Sequence, residues 1–450
     1  MILIRRATVL AAAIFIAVST PALSAGKTFV EVGKQEAMTI LVPAAPWLPA
    51  FTKIVELYEE QTGNKIKLDV HPYGGVLDKA RNDLRGGTGT YDVVLLDNTW
   101  IVEMYEGGFL SPLKEIDPTF DVPKEVLTYG DSGYWNEQKR WRTSNGGKLM
   151  AFTPLGNVSL WYYRTDLLAA AGLQPPKTVQ DVLASCAKLT KPPVAYGAVL
   201  RGERGNPIRY DWNNWMYGYG GSIVKDPENG DFNVTLNSPQ NKDALDAYVA
   251  VARQCGVPNP GAVSQGEVIQ LVSVGKAAQA QIVLAAWASM QDPKKSAVAG
   301  KLGVVPTPSG PQGNKGSAIG NWNYAVPKGA NPMRKKSALA FATWFLTFEA
   351  QYAYAKAGGI PNRSDVLVSD LAKVPDTSWM PAYLEAVKSG RQELGYREGS
   401  QVESALGLRL NQALIGELSS AKALNMAAKD IKDIFEKSGR KTSLGNALPE

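Results

Sequence analysis

A single histidine, His71, stands in a chain of 450 residues, so neither a histidine-based triad nor a multi-histidine metal centre is easily assembled. No GxSxG motif occurs. Gly86-Gly87-Thr88-Gly89 lacks the Lys-Ser/Thr pair of a phosphate-binding loop and reads as a helix-to-strand turn. The spacing of an EF-hand is also missing. The formal charge is +6, or +4 without Arg5 and Arg6. It is spread without a basic stripe, which leaves a nucleic-acid role unsupported. Past residue 25 no stretch reaches about 18 consecutive apolar residues, the length a membrane helix needs. No repeat of 20 to 50 residues is evident, so a solenoid is not expected. Paired carboxylates remain available for glycosidase chemistry, with Asp97 the obvious candidate for one partner.

Only two cysteines occur, Cys186 and Cys255. The N-terminus bears on how they are read. Arg5 and Arg6 precede an apolar stretch from Ala7 to Val18, and the small residues of PALSA follow. Residues 1–25 therefore read as a secretory signal peptide, with Ala22 and Ser24 fitting cleavage after Ser24 or Ala25. No cysteine follows the cleavage region, which argues against a lipid anchor, and the expected destination is the periplasm. An exported chain meets an oxidising compartment. The two cysteines fall in separate predicted helices, and a disulfide and two buried free thiols both stay open.

The rest of the chain is organised around Tyr91 to Trp100, YDVVLLDNTW. Val93 to Leu96 are four apolar, partly β-branched residues in a row, the pattern of a strand buried on both faces of a parallel sheet. The run ends in Asp97, Asn98, Thr99 and Trp100. Ligands of open α/β sheets bind beyond the carboxyl ends of strands, and sugars need hydrogen-bonding groups beside a flat apolar ring. The same residues also read as a cap for the next helix followed by a packing tryptophan.

Around this stretch the elements alternate. Met38–Val42 and Lys65–Val70 read as strands. Leu48–Gln61 and Val76–Arg85 read as helices, with Gly63 ending the first. Strand and helix in alternation define an α/β domain, and 450 residues imply about two domains. Residues 117–148 show no clear period and read as loops. Lys148–Thr153 and Ser159–Tyr163 are strand-like around Pro154-Leu155-Gly156-Asn157, a candidate crossover between domains. A second α/β segment follows, with Thr178 capping a helix to Leu189 and Asp181 at its third position. Strand-like runs at Ala195–Leu200, Ala280–Trp287 and Leu302–Val305 alternate with helices at Gln240–Gln254 and Glu267–Val274. Phe341, Trp344, Phe345 and Phe348 share one face of a later helix, which makes Trp344 a core residue, and Trp161 lies in an apolar strand.

Taken in order, these pieces resemble the carbohydrate-type solute-binding proteins of ABC importers, the group that includes maltose-binding protein. The likeness runs through PW before the first long helix, YEEQTGNKIKLDV, YDVVLLDNTW, GGFLSPL, SLWYYRTDLLAAAGL, VTLNSP, GKAA, KLGVVPTPSG, GNWNYAVP, FATWFLTFEAQ and GGIPNR. It implies a two-lobed α/β periplasmic binding protein fold (type II), each lobe a mixed sheet flanked by helices, with the ligand cleft at the hinge. The expected first lobe is 26–153 with 319–365, and the second is 154–318 with 366–450. The lobes would close on the ligand, and the closed form would dock on a membrane permease.

Carried over by position, Trp47 and Tyr73 lie where first-lobe loops face the cleft, and Asp97 and Trp100 fall at the strand-end site. Asn157 stands at the crossover where maltose-binding protein has a glutamate, which puts a maltose-like contact there in doubt. Tyr210 and Trp212 belong to a stretch that matches an aromatic sugar-stacking loop, and Trp287 follows the GKAA helix. Asn321 and Trp322 begin the return to the first lobe, and Gly359 and Arg363 line the hinge side. For each tryptophan the alternative is core packing, and for Arg363 it is a salt bridge. The implied function is a non-catalytic, monomeric binding component of a sugar or polyol importer, with no cofactor and no metal. A binding protein for an anionic solute such as a glycerophosphodiester would instead show several cleft arginines or lysines. A secreted glycan-active enzyme would show turnover.

Overall fold

Strand β1, Met38–Pro43, is apolar along nearly its whole length because it is covered on both sides. It lies between β2, Ile66–His71, and β3, Val93–Asp97, and is parallel to both. Helix α1, Leu48–Thr62, joins β1 to β2, and α2, Tyr73–Gly86, joins β2 to β3. The computed structural model describes residues 29–192, 195–392 and 394–450. The export signal read at residues 1–25 lies outside them.

Strands β4, Ala151–Phe152, and β8, Trp322–Ala325, complete this first sheet in the order β2-β1-β3-β8-β4, with β8 antiparallel to β3 and β4. The return of the chain at residue 322 thus adds a strand to the first sheet. Tyr58, Phe341 and Trp344 pack ring against ring beside it, each buried.

The second sheet centres on β5, Ser159–Arg164, with β6, Gln279–Val283, and β7, Leu302–Pro306, antiparallel on either side. Ala195–Leu200, expected as a strand, pairs with this region only through isolated bridges such as Val199 to Ala280. Helix α3, Val179–Leu189, begins in a capping box. Thr178 Oγ1 accepts from the Asp181 amide at 3.1 Å, and Asp181 accepts from the Thr178 amide at 2.9 Å. Helices α4, Asn206–Gly218, and α5, Pro239–Gln254, pack together, and α6, Gly399–Ile415, and α7, Ser420–Lys437, pack onto them.

Cys186 of α3 and Cys255 at the end of α5 form a disulfide. Two mixed or antiparallel sheets flanked by helices, with a cleft between them, are the architecture of a two-lobed periplasmic binding protein.

Candidate ligand-binding site

The three parallel strands β1, β2 and β3 end on one side of the first sheet, and their carboxyl ends build one wall of a cleft of about 450 Å³. Pro43 leads into Trp47, His71 into Tyr73, and Leu96 into Asp97. Such convergence of strand ends is where open α/β sheets hold ligands. Trp322 joins them because it pairs directly with Asp97 in the sheet register. The facing wall is formed by the segment 201–207, which runs into the start of α4, by Tyr210, by Ser264–Gly266 and by Glu403. Asn157 and Gly320 lie at its base.

The buried charges on the facing wall are paired. Arg201 donates through Nε to Asp211 at 2.7 Å and through Nη1 to Gln265 at 3.1 Å, while its backbone amide binds the other Asp211 oxygen. Arg209 donates to Glu403 and, at 3.3 Å, to Thr99, which follows β3 of the first sheet. Asn206 donates to Glu403 at 2.9 Å and across the cleft to the Tyr73 hydroxyl at 3.1 Å. Burial holds Asp211 above the ordinary carboxylate range, against the pull of Arg201.

Asp97 is different, because no cation lies in ion-pair contact with it among the described residues. Its Oδ1 accepts from the Thr99 amide at 2.8 Å, and the Tyr73 hydroxyl donates to the carboxylate. Burial pushes its pKa up, and these hydrogen bonds with the more distant Arg209 only partly offset that. Trp47 adds a buried indole N–H with no partner. The wall thus offers a carboxylate acceptor to a ligand hydroxyl.

Backing these groups is an aromatic cluster. Trp100 lies 4.4 Å from Tyr73 and 5.7 Å from Trp322 between ring centroids, and Trp47 lies 6.2 Å from Trp322. Tyr210 is held by its hydroxyl, which donates to the Ala318 carbonyl at 2.7 Å. Gly320 allows that approach, since a Cβ there would meet the Tyr210 hydroxyl at 2.7 Å.

Of the residues named from the sequence, Trp47, Tyr73, Asp97, Asn157, Tyr210 and Trp322 line the cleft. The others do not. Trp100 is 1% exposed and packs behind Tyr73 as the residue that caps the next helix. Trp212 is fully buried, because its stretch is helix α4 and not a loop. Two residues along a helix turn the side chain by roughly 200°, so Trp212 faces away from the wall that Tyr210 occupies. Asn321 is also fully buried, and it donates to Thr153 at 2.9 Å and accepts from Gln392.

Trp287 and Gly359 meet in a different cavity, of about 750 Å³, lined also by Tyr352 and Trp379. There the Trp287 indole donates to the Asp376 carbonyl at 2.8 Å. Gly359 lies against Tyr354, whose ring a Cβ would meet at 2.2 Å. Arg363 is a structural cation. It binds Asp365 at 2.6 Å and the Leu346 carbonyl at 2.7 Å, and it reaches Glu125 at 3.5 Å.

Sequence reasoning missed Arg201, Glu203, Arg204, Asn206, Gln265 and Glu403. Arg201 carried a usable signal, since the apolar run Val199-Leu200 ends in it as β3 ends in Asp97. Glu403 carried none, being one carboxylate on a long helix.

The chain belongs to the bacterial extracellular solute-binding protein family, which it matches over residues 44–352. It is 30% identical over 285 residues to a probable ABC transporter-binding protein of Deinococcus radiodurans. That match covers 61% of this chain and 63% of the relative, less than two thirds of its length. A mannitol-binding protein of Pseudomonas aeruginosa is 26% identical over 321 residues, covering 65% of this chain and 71% of that one. A solved ABC transporter solute-binding protein of Agrobacterium radiobacter K84, in complex with ribitol, superimposes with a TM-score of 0.79 at 25% identity. That superposition covers 89% of this chain and 99% of the other. Among the described residues no helix is long and apolar enough to cross a membrane.

Proposed function

We propose that this protein is the periplasmic, ligand-capturing component of an ABC importer for a neutral carbohydrate or polyol. It acts as a monomer, exported by its signal peptide and not lipid-anchored. Residues 26–153 with 319–365 form the first lobe and 154–318 with 366–450 the second. The ligand sits between the lobes, leaves chemically unchanged, and is handed to a membrane permease.

The observation that carries this reading is the charge state of the cleft. Its buried cations already have partners, Arg201 with Asp211 and Arg209 with Glu403. The Asp97 carboxylate on the cleft wall can accept from a ligand hydroxyl. An anionic ligand would have to be desolvated without gaining an unpaired buried cation, at a cost of several kcal/mol. A neutral polyol avoids that cost. The mannitol-binding relative and the ribitol complex of the structural relative point to the same ligand class.

Arg201 and Arg204 on the wall favour a second reading, an anionic solute such as a glycerophosphodiester. Against it, Arg201 is already bound to Asp211 and Arg204 donates to Asn411 at 3.0 Å.

The test is tryptophan fluorescence of the mature protein titrated with sugars, polyols and glycerophosphodiesters, with product analysis of each mixture. A saturable response to a neutral carbohydrate recovered intact is expected. Response to the phosphodiesters alone would move the ligand class, and consumption of the sugar would make the protein an enzyme.

A further inference from the structure

Beneath the cleft lies a second, much smaller cavity of about 20 Å³. It shares Asp97, Tyr210 and Gly320 with the cleft above, so it is an extension of the cleft floor. Both lobes contribute to it: Asp97 and Thr99 from the end of β3, Arg209 and Asn213 from helix α4. Two of these side chains carry buried atoms without a hydrogen-bond partner, the donor Arg209 Nε and the acceptor Asn213 Oδ1. Arg209 is 4% exposed and Asn213 is 1% exposed. A buried polar atom left unpaired costs about 1–3 kcal/mol, and two of opposite hydrogen-bonding sense belong to residues that line one small space.

We propose that this cavity is a one-oxygen site, assembled by closure of the lobes and filled by a water molecule or by one hydroxyl of the ligand. The volume fits one oxygen, since a water needs about 10–15 Å³ of such space and two to four polar partners. The oxygen accepts from Arg209 Nε and donates to Asn213 Oδ1, and a water's second proton can go to the Asp97 carboxylate. Because Arg209 also donates to Thr99 of the opposite lobe, the site exists only while the lobes are together. It therefore limits how deeply a ligand reaches: a hydroxyl enters, and a hydroxymethyl group does not. The ligand-hydroxyl form rests on the carbohydrate reading above, whereas the water form does not.

The test has two arms. A crystal structure of the mature protein in its closed form, grown with D-mannitol at a resolution that shows ordered water, should show an oxygen within about 3.2 Å of both Arg209 Nε and Asn213 Oδ1. Separate density identifies water, and density continuous with mannitol identifies a ligand hydroxyl. No density, with both atoms still unpaired, overturns the site. In the second arm, Asn213→Leu keeps the side-chain size and removes the acceptor. Mannitol affinity by calorimetry should fall about tenfold, a loss of ~1.4 kcal/mol. Wild-type affinity in a folded Asn213→Leu protein overturns the proposal. If the wild type binds no member of the carbohydrate panel, the functional reading fails, and the density of the closed form still decides the site. The same density decides it if Asn213→Leu does not fold.

Discussion

The side-chain amide of Asn206 donates to the hydroxyl of Tyr73 at 3.1 Å, and this bond joins the two lobes across the cleft. The same amide holds Glu403 at 2.9 Å, and the Tyr73 hydroxyl donates a hydrogen bond to Asp97. A continuous chain of hydrogen bonds thus runs from the end of strand β3 to helix α6. Closure completes it at one point, so either of the two central residues tests it.

Tyr73→Phe removes the bond and keeps the ring on Trp100 and Trp322. The melting temperature should hardly change, while ligand affinity should fall roughly three- to tenfold, the value of one hydrogen bond of about 0.5–1.5 kcal/mol. Calorimetric titration beside a thermal melt checks both. A large drop in melting temperature would show that the hydroxyl serves the fold and not closure.

Asp97 gives a pH dependence of unusual sign. Burial raises its pKa in the folded state above that of the unfolded chain, so the native protein binds more protons in the window between the two values. Its stabilising contribution is complete below the ordinary carboxylate value near ~3.9 and is lost as pH rises through the folded value. Asp97→Asn removes this loss. The variant should be more stable than wild type at pH 7, with the difference vanishing as the pH approaches about 4. Urea unfolding across that range reads it out, and an equal difference at both ends would assign the effect to packing. Ligand affinity at pH 7 should fall in the same variant, because the charge is lost and one acceptor oxygen becomes an NH2 donor.

Arg201 and Asp211 form a fully buried pair, 2% and 0% exposed. Arg201→Met leaves Asp211 charged and unpaired, and should cost about 3–5 kcal/mol. The double variant Arg201→Met/Asp211→Leu should recover much of that, because no isolated charge remains. A double-mutant cycle in urea decides, and additive losses would contradict the pairing argument.

The disulfide links residues 69 apart in sequence. In the chain-entropy model a loop of that length contributes about 4 kcal/mol by restricting the unfolded chain. Replacing both Cys186 and Cys255 by Ser should lower unfolding free energy by that order and leave ligand affinity within about twofold. The bond lies on α3 and α5, away from the cleft wall.

Helical and strand periodicities were legible because they are local. Thr178 with Asp181 announces a helix start, and the apolar run Val93–Leu96 announces a buried strand, without reference to any distant residue. Asp97 was legible for the same reason, as the polar end of that run. Aromatic residues were less so. Tyr210 and Trp212 are equally aromatic and two positions apart, and only the turn of helix α4 separates a cleft wall from a buried core. Trp287 and Gly359 illustrate the complementary failure. Both line the cavity that also holds Trp379 and not the cleft, and nothing in their local sequence distinguishes the two cavities.

By itself the sequence determined the composition of each element: which runs are apolar on one face, which on both, and where polar residues end a strand. That follows from the fixed periods of helix and strand, which make burial a pattern over neighbouring residues. The tertiary structure alone decided which polar groups meet. Glu403 reaches Arg209 over 194 positions, Asn206 reaches Tyr73 over 133, and Cys186 finds Cys255. Those meetings depend on how two sheets and their crossing segments pack. Long-range packing is a property of the whole core, so no local window of sequence contains it.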